Sequence, residues 1–263
     1  MDASLDAIRR HWEEAGKKFP KGGKVSPTSR DPFLGQLEEA HILRFLVGRE
    51  RILEIGCGDG LHTALYAQHV GQVKALDISG NLIRLAETRM IENSISNVEF
   101  KVGSVLDLVN LYERDKFDCI VSQRCLINLP SWKYQQTALE QACKVLNPGG
   151  ILLMSEGFQE ELDELNVARK KFNLDEIKVV PYNRNLRHDE FDDYVKTMFE
   201  VIEIGDYGAY LFLSRVFYPL SVFPDAPKHD SPLNEAAMRI SSILPMTDLR
   251  KYSYNLCYVL RKK

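Results

Sequence analysis

The spacing of apolar residues along this chain changes character twice. Between residues 3 and 15, Leu5, Ile8 and Trp12 recur at helical spacing behind a candidate N-cap, Ser4, and predict an amphipathic helix. Gly16, Pro20, Gly22, Gly23, Pro27, Pro32 and Gly35 then predict a loop over 16–35. A second helix is expected over 36–47, with Leu37, Ile42, Leu43 and Leu46 inward and Gly48 at its end. From residue 51 short apolar runs alternate with helical stretches. Strands are predicted at 51–55, 73–77, 98–102, 117–122 and 151–156, with helices at 61–69, 80–93, 105–112 and 132–146 between them. These strands are apolar at nearly every position, as strands covered on both faces are.

After residue 156 the alternation loosens. Helices are expected at 159–173, 188–198, 208–220 and 234–244, a Pro-rich loop at 222–232, and strands at 178–180, 199–204 and 252–260. Repeated strand–helix units specify a doubly wound, mostly parallel sheet, here of seven strands. It carries an N-terminal helical cap and an insertion before the last strand. The division expected is 1–39 as cap helices and loop, 40–157 as the binding core, and 158–263 as the rest of the sheet with capping insertions, all one catalytic domain.

Residues 51–60, Arg-Ile-Leu-Glu-Ile-Gly-Cys-Gly-Asp-Gly, form a strand that breaks into glycines at alternate positions before a helix. Such a corner lets backbone approach a ligand closely. Dinucleotides and S-adenosylmethionine both use one. The dinucleotide fingerprint Gly-x-Gly-x-x-Gly, begun at Gly56, would need glycine where Leu61 stands, which argues against an NAD-linked oxidoreductase.

The acid-x-Gly-x-Gly-x-Gly pattern led by Glu54 resembles the first motif of class I S-adenosylmethionine-dependent methyltransferases, a Rossmann-like fold. The resemblance covers about residues 40–157, and the Asn147-Pro148-Gly149-Gly150 turn matches the family's usual turn. It implies a cofactor site made of Glu54, Gly56, Cys57, Gly58 and Gly60. Asp77 would receive the ribose hydroxyls, a carboxylate's two-acceptor role. Ile78 would lie on the adenine face, with Ser104 and Val105 near its edge; Ser104 stands where the family often has Asp. Gln123 would meet the methionine tail.

Net charge is −3 over 263 residues, with no basic field for nucleic acid. That disfavours a tRNA or protein substrate, though a macromolecular enzyme or a non-catalytic nucleoside binder remain the alternatives. Five cysteines without a Cys-x-x-Cys pair, no apolar run near a membrane span's length and no signal peptide point to a cytoplasmic protein with no metal and no membrane partner. The acceptor is expected to be a small, polar and anionic molecule, bearing a phosphate, carboxylate or sugar phosphate. Arg30, Arg124, Arg187 and Arg215, with Tyr218, are its candidate ligands, since the guanidinium fork suits such groups. The segments Ser122–Leu129, Leu186–Phe191 and Ser214–Pro219 resemble those of bacterial small-molecule methyltransferases, some of them linked to surface-polysaccharide modification, and this resemblance implies surface-polysaccharide or secondary-metabolite biosynthesis. Where a base is needed, His188, Glu156 and Tyr182 are the candidates.

Overall fold

A computed structural model describes residues 3–18, 31–244 and 246–263. Two helices come first, α1 (Ala3–Lys18) and α2 (Pro32–Leu46). Five strand units follow: β1 (Arg51–Ile55), α3 (Leu61–Tyr66), β2 (Gln72–Asp77), α4 (Gly80–Glu92), β3 (Val98–Val102), α5 (Leu108–Leu111), β4 (Phe117–Gln123), α6 (Trp132–Val145) and β5 (Leu146–Gly157). Then come α7 (Gln159–Lys171), α8 (His188–Lys196) and β6 (Phe199–Asp206). The insertion holds α9 (Gly208–Phe212), α10 (Tyr218–Val222) and α11 (Pro232–Ile243), and β7 (Asn255–Lys262) closes the chain.

The seven strands lie in the order β3-β2-β1-β4-β5-β7-β6. β1 to β5 run parallel, and β7 is antiparallel to both β5 and β6. Reversal of strand order beside β1 puts the switch point between β1 and β4, where ligands of open α/β sheets collect. Apolar clusters fill both faces. One joins Leu53, Ile55, Ile120 and Leu152 to α6 and α8; the other joins Ile52, Val121 and Leu153 to α2, α3 and the insertion.

Three boundaries differ from expectation for identifiable reasons. Gly16 does not end α1; it is buried where α1 crosses α4, and a Cβ there would sit 2.8 Å from that of Asn81. Pro32 starts α2 four residues earlier than expected, at a position that needs no N–H, behind Asp31. Asp31 accepts from the N–H groups of Phe33 (3.2 Å) and Leu34 (3.0 Å). Residues 178–180 form no strand. The segment instead runs beside the carboxyl edge of the sheet, where Arg184 N–H donates to the Ile127 carbonyl at 2.6 Å.

Candidate active site

The carboxyl ends of β1, β2 and β4 open on a cavity of about 530 Å³, a size typical of cofactor and substrate sites. Its floor is the turn after β1. Gly56 has φ +71°, and a Cβ there would lie 2.7 Å from Cys125 Sγ, so only glycine fits. Cys57 and Gly58 also line the cavity. Gly60 does not. Its φ of +73° and the 2.8 Å between an added Cβ and Ala86 Cβ give it a packing role, seating α3 on α4.

Two buried acids face the cavity. Glu54 accepts a hydrogen bond from Thr63 Oγ1 at 2.5 Å, and burial pushes its carboxyl up to about 7. Asp77 is likewise pushed up to about 6 by burial, against the pull of backbone N–H groups. Its Oδ2 accepts from Gly58 N–H (3.0 Å) and its Oδ1 from Ser79 N–H (2.8 Å). Each oxygen keeps acceptor capacity for an incoming hydroxyl. Ile78, Ser104 and Val105 line the wall beside it. Ser104 Oγ caps a short helical turn by accepting from Leu106 N–H at 3.2 Å.

Opposite these acids, two bifunctional side chains are each held at one end. Gln123 Oε1 accepts from the hydroxyl of Tyr66, and its Nε2 is buried with no hydrogen-bond partner among the described residues. His62 Nδ1 lies 2.7 Å from Glu39 Oε1, and its Nε2 is buried and unpartnered in the same sense. Both line the cavity. Sequence reasoning reached Gln123 and missed His62, whose only signal was its place one turn before Tyr66 on α3.

The expected N-terminal helical cap supplies the roof, but its side chains were not named as site residues: Leu5, Ile8 and Trp12, at helical spacing, face the cavity. Glu13 holds α1 in place by accepting from Gly80 N–H (2.9 Å) and Asn81 N–H (3.2 Å) at the start of α4. On the other side Trp12 Nε1 donates to Asn128 Oδ1 at 3.1 Å, and His11 stacks on Tyr182 with ring centroids 4.0 Å apart. Thus α1 bridges the cavity from α4 to the loop after β4.

Of the residues expected to meet the acceptor or serve as base, Arg124 and Tyr182 line this cavity. Arg124 adopts φ +55°, a backbone state costly for a side-chain-bearing residue. It is fixed there by its N–H donating to Ser155 O at 2.8 Å and by its guanidinium 3.3 Å from the buried Glu38.

Glu156 does not line it. Its carboxylate accepts from Ser122 Oγ (2.6 Å) and from the N–H groups of Cys125 (3.1 Å), Leu126 (3.0 Å) and Ile127 (3.2 Å). It is fully buried and its job is to hold the loop after β4, not to act as base. His188 lies outside as well, between Glu161 (2.8 Å) and Asp192 (3.2 Å), which raise its imidazole to about 9. An imidazolium so held accepts no proton. With Glu160 and Glu161 it brings three ligand-type atoms within 4.8 Å of one another, away from the cavity. Arg187 pairs with Asp189 (3.4 Å) and Glu160 (3.7 Å). Arg215 is partly buried and donates to Asp31, which also accepts from Tyr210 Oη at 2.7 Å, so it anchors α2 to the insertion. Arg215 and Tyr218 line a second cavity of about 310 Å³ that shares no wall residue with the first. Arg30 lies outside the described residues.

A mostly parallel sheet with this strand order, a glycine turn after β1 and an acid ending β2 define a class I methyltransferase. The family model described as a methyltransferase domain matches residues 47–201, and the chain belongs to that family. The chain is 34% identical over 156 residues to a ubiquinone biosynthesis O-methyltransferase of Xanthomonas oryzae pv. oryzae, a match covering 59% of each. In fold it resembles the N-methyltransferase NodS of Bradyrhizobium japonicum WM9 in complex with S-adenosyl-L-homocysteine (TM-score 0.58, 14% identity, 100% of this chain and 99% of that one). It also resembles magnesium protoporphyrin IX methyltransferase of Synechocystis PCC 6803 with the same product bound (TM-score 0.62, 12% identity, 98% and 100%). The wall fits S-adenosylmethionine: acceptors at Asp77 and Glu54 suit hydroxyls and an ammonium, and the unpartnered Gln123 amide suits a carboxylate. Among the described residues no helix is long and apolar enough to cross a membrane.

Proposed function

We propose that this protein methylates a small acceptor carrying an oxygen nucleophile and an anionic group, bound between α1 and residues 180–183. One observation carries the reading. The cavity that holds the acid pair at one end is continuous with a wall of Arg124, Asn128, Tyr182 and Asn183 under the rings of His11 and Trp12. Arg124 supplies the cation there; Arg187 and Arg215 are engaged elsewhere. The aromatic pair His11 and Tyr182 suits a planar acceptor. The Xanthomonas relative is an O-methyltransferase, which supports oxygen as the nucleophile.

S-adenosylmethionine supplies an electrophilic methyl on a sulfonium; the protein's part is positioning and proton removal. A hydroxyl acceptor needs a base, and His11, on the cavity wall, replaces Glu156 and His188 in that role. Formation of S-adenosylhomocysteine with a hydroxylated aromatic carboxylate, its methyl ester and a sugar phosphate tests the reading. Turnover of the carboxylate but not the ester, with a raised acceptor KM in Arg124→Ala, is expected. Equal turnover of acid and ester, or turnover on RNA or protein alone, contradicts it.

A further inference from the structure

We infer that His62, held by Glu39, is a cofactor-binding residue that grips the amino-acid tail of the cofactor together with Gln123. The inference rests on the assignment of this cavity to S-adenosylmethionine and deepens it.

The argument is an accounting of poles. His62 and Tyr66 stand one helical turn apart on α3, so they share a face, and their rings lie nearly parallel with centroids 6.4 Å apart. Each takes part in one orienting bond. The Tyr66 hydroxyl donates to Gln123 Oε1, which turns the amide so that its NH₂ faces the cavity. Glu39 does the same for the imidazole. A carboxylate only accepts, so the hydrogen on His62 lies on Nδ1 toward Glu39, and Nε2 is the pole left toward the cavity.

Both remaining poles, Gln123 Nε2 and His62 Nε2, are buried and unpartnered among the described residues. His62 is 9% exposed, so water does not readily satisfy it. Leaving two buried polar atoms unsatisfied is costly, and such pairs on one cavity wall mark a ligand. With its hydrogen on Nδ1, His62 presents Nε2 as an acceptor for the tail's ammonium, while the Gln123 amide donates to the tail's carboxylate. An acceptor and a donor on one wall match the two charged groups that the tail carries on one carbon. Glu54 lines the same cavity and offers the ammonium a second acceptor.

The test uses two ligands that differ only at the tail. S-adenosylhomocysteine carries the amino acid; 5′-methylthioadenosine keeps the nucleoside and sulfur without it. In isothermal titration of the full chain, His62→Ala is expected to weaken S-adenosylhomocysteine by about 10- to 100-fold, the worth of a charge-assisted hydrogen bond. Binding of 5′-methylthioadenosine should change less than about 2-fold, which also shows that the variant is folded. Glu39→Gln, which leaves the ring in place, should lose affinity in the same selective way by a smaller factor. Equal weakening of both ligands, or no change in either, overturns the inference while leaving the cofactor assignment intact. Failure of the wild-type chain to bind either ligand overturns the assignment and the inference with it.

Discussion

The ends of β1 and β5 carry two buried glutamates that look alike and do opposite things. Glu54 and Glu156 are both removed from water, and burial pushes both carboxyls up to about 7. Glu54 has a single hydroxyl donor, Thr63, and faces the cavity. Glu156 accepts four hydrogen bonds and faces none of it. A raised carboxyl therefore does not by itself mark chemistry. What separates the two is how many acceptor positions the protein has left open. The arginines differ in place rather than in pairing: Arg124, paired with Glu38, lines the cavity with the acids, whereas Arg215, paired with Asp31, lines the separate second cavity.

The contrast between the two glutamates is most easily broken with Glu156→Ala. It strands a hydroxyl and three backbone N–H groups in a dry site at about 1–3 kcal/mol each, so at least ~3 kcal/mol of stability should vanish in urea unfolding. Were Glu156 a base instead, the variant would keep its stability and lose only turnover. Next in size is Gly56→Ala, which places a Cβ at positive φ against Cys125. It should cost about 1–3 kcal/mol and weaken S-adenosylhomocysteine binding together with stability, because the turn is the cavity floor.

His188 sharpens the comparison through pH. Its folded value, about 9, is raised above the ordinary 6.5. Its stabilisation is therefore fully present below pH 6.5 and lost as pH rises through 9. The stability gap between wild type and His188→Gln, followed by thermal melting, should shrink across that window, with turnover at neutral pH little changed. Loss of turnover without this pH signature would restore His188 as a base. The smallest effect belongs to Arg187→Ala. An exposed pair is worth about 0–1 kcal/mol, and acceptor KM should stay within error.

How much was legible follows from how local each signal is. The strands β1 to β5 and the glycine corner could be read because their patterns are contiguous: a doubly covered strand is apolar throughout, and Gly56 answers to a turn three residues long. Asp77 and Gln123 were legible as strand-ending residues, since position along a strand fixes the edge they reach. The failures are all non-local. Nothing near Glu156 in sequence announces that the loop over 125–127 will turn three N–H groups toward it. Nothing near Arg215 announces Asp31, which lies 184 residues away in the chain. The α1 stripe of Leu5, Ile8 and Trp12 has the same period whether it covers a core or a ligand. His62 carries no motif; its role appears only once Glu39 occupies one ring nitrogen and leaves the other open.

The central claim is that the β1–β2–β4 corner binds S-adenosylmethionine through its open acceptors, Asp77 foremost. Isothermal titration of S-adenosylhomocysteine into wild type and Asp77→Ala tests it most directly. One saturable site per chain is expected in the wild type. Affinity should fall at least about 10-fold in the variant, the loss of two hydroxyl contacts to a charged group. No binding to the wild type, or equal affinity in both, would contradict the account.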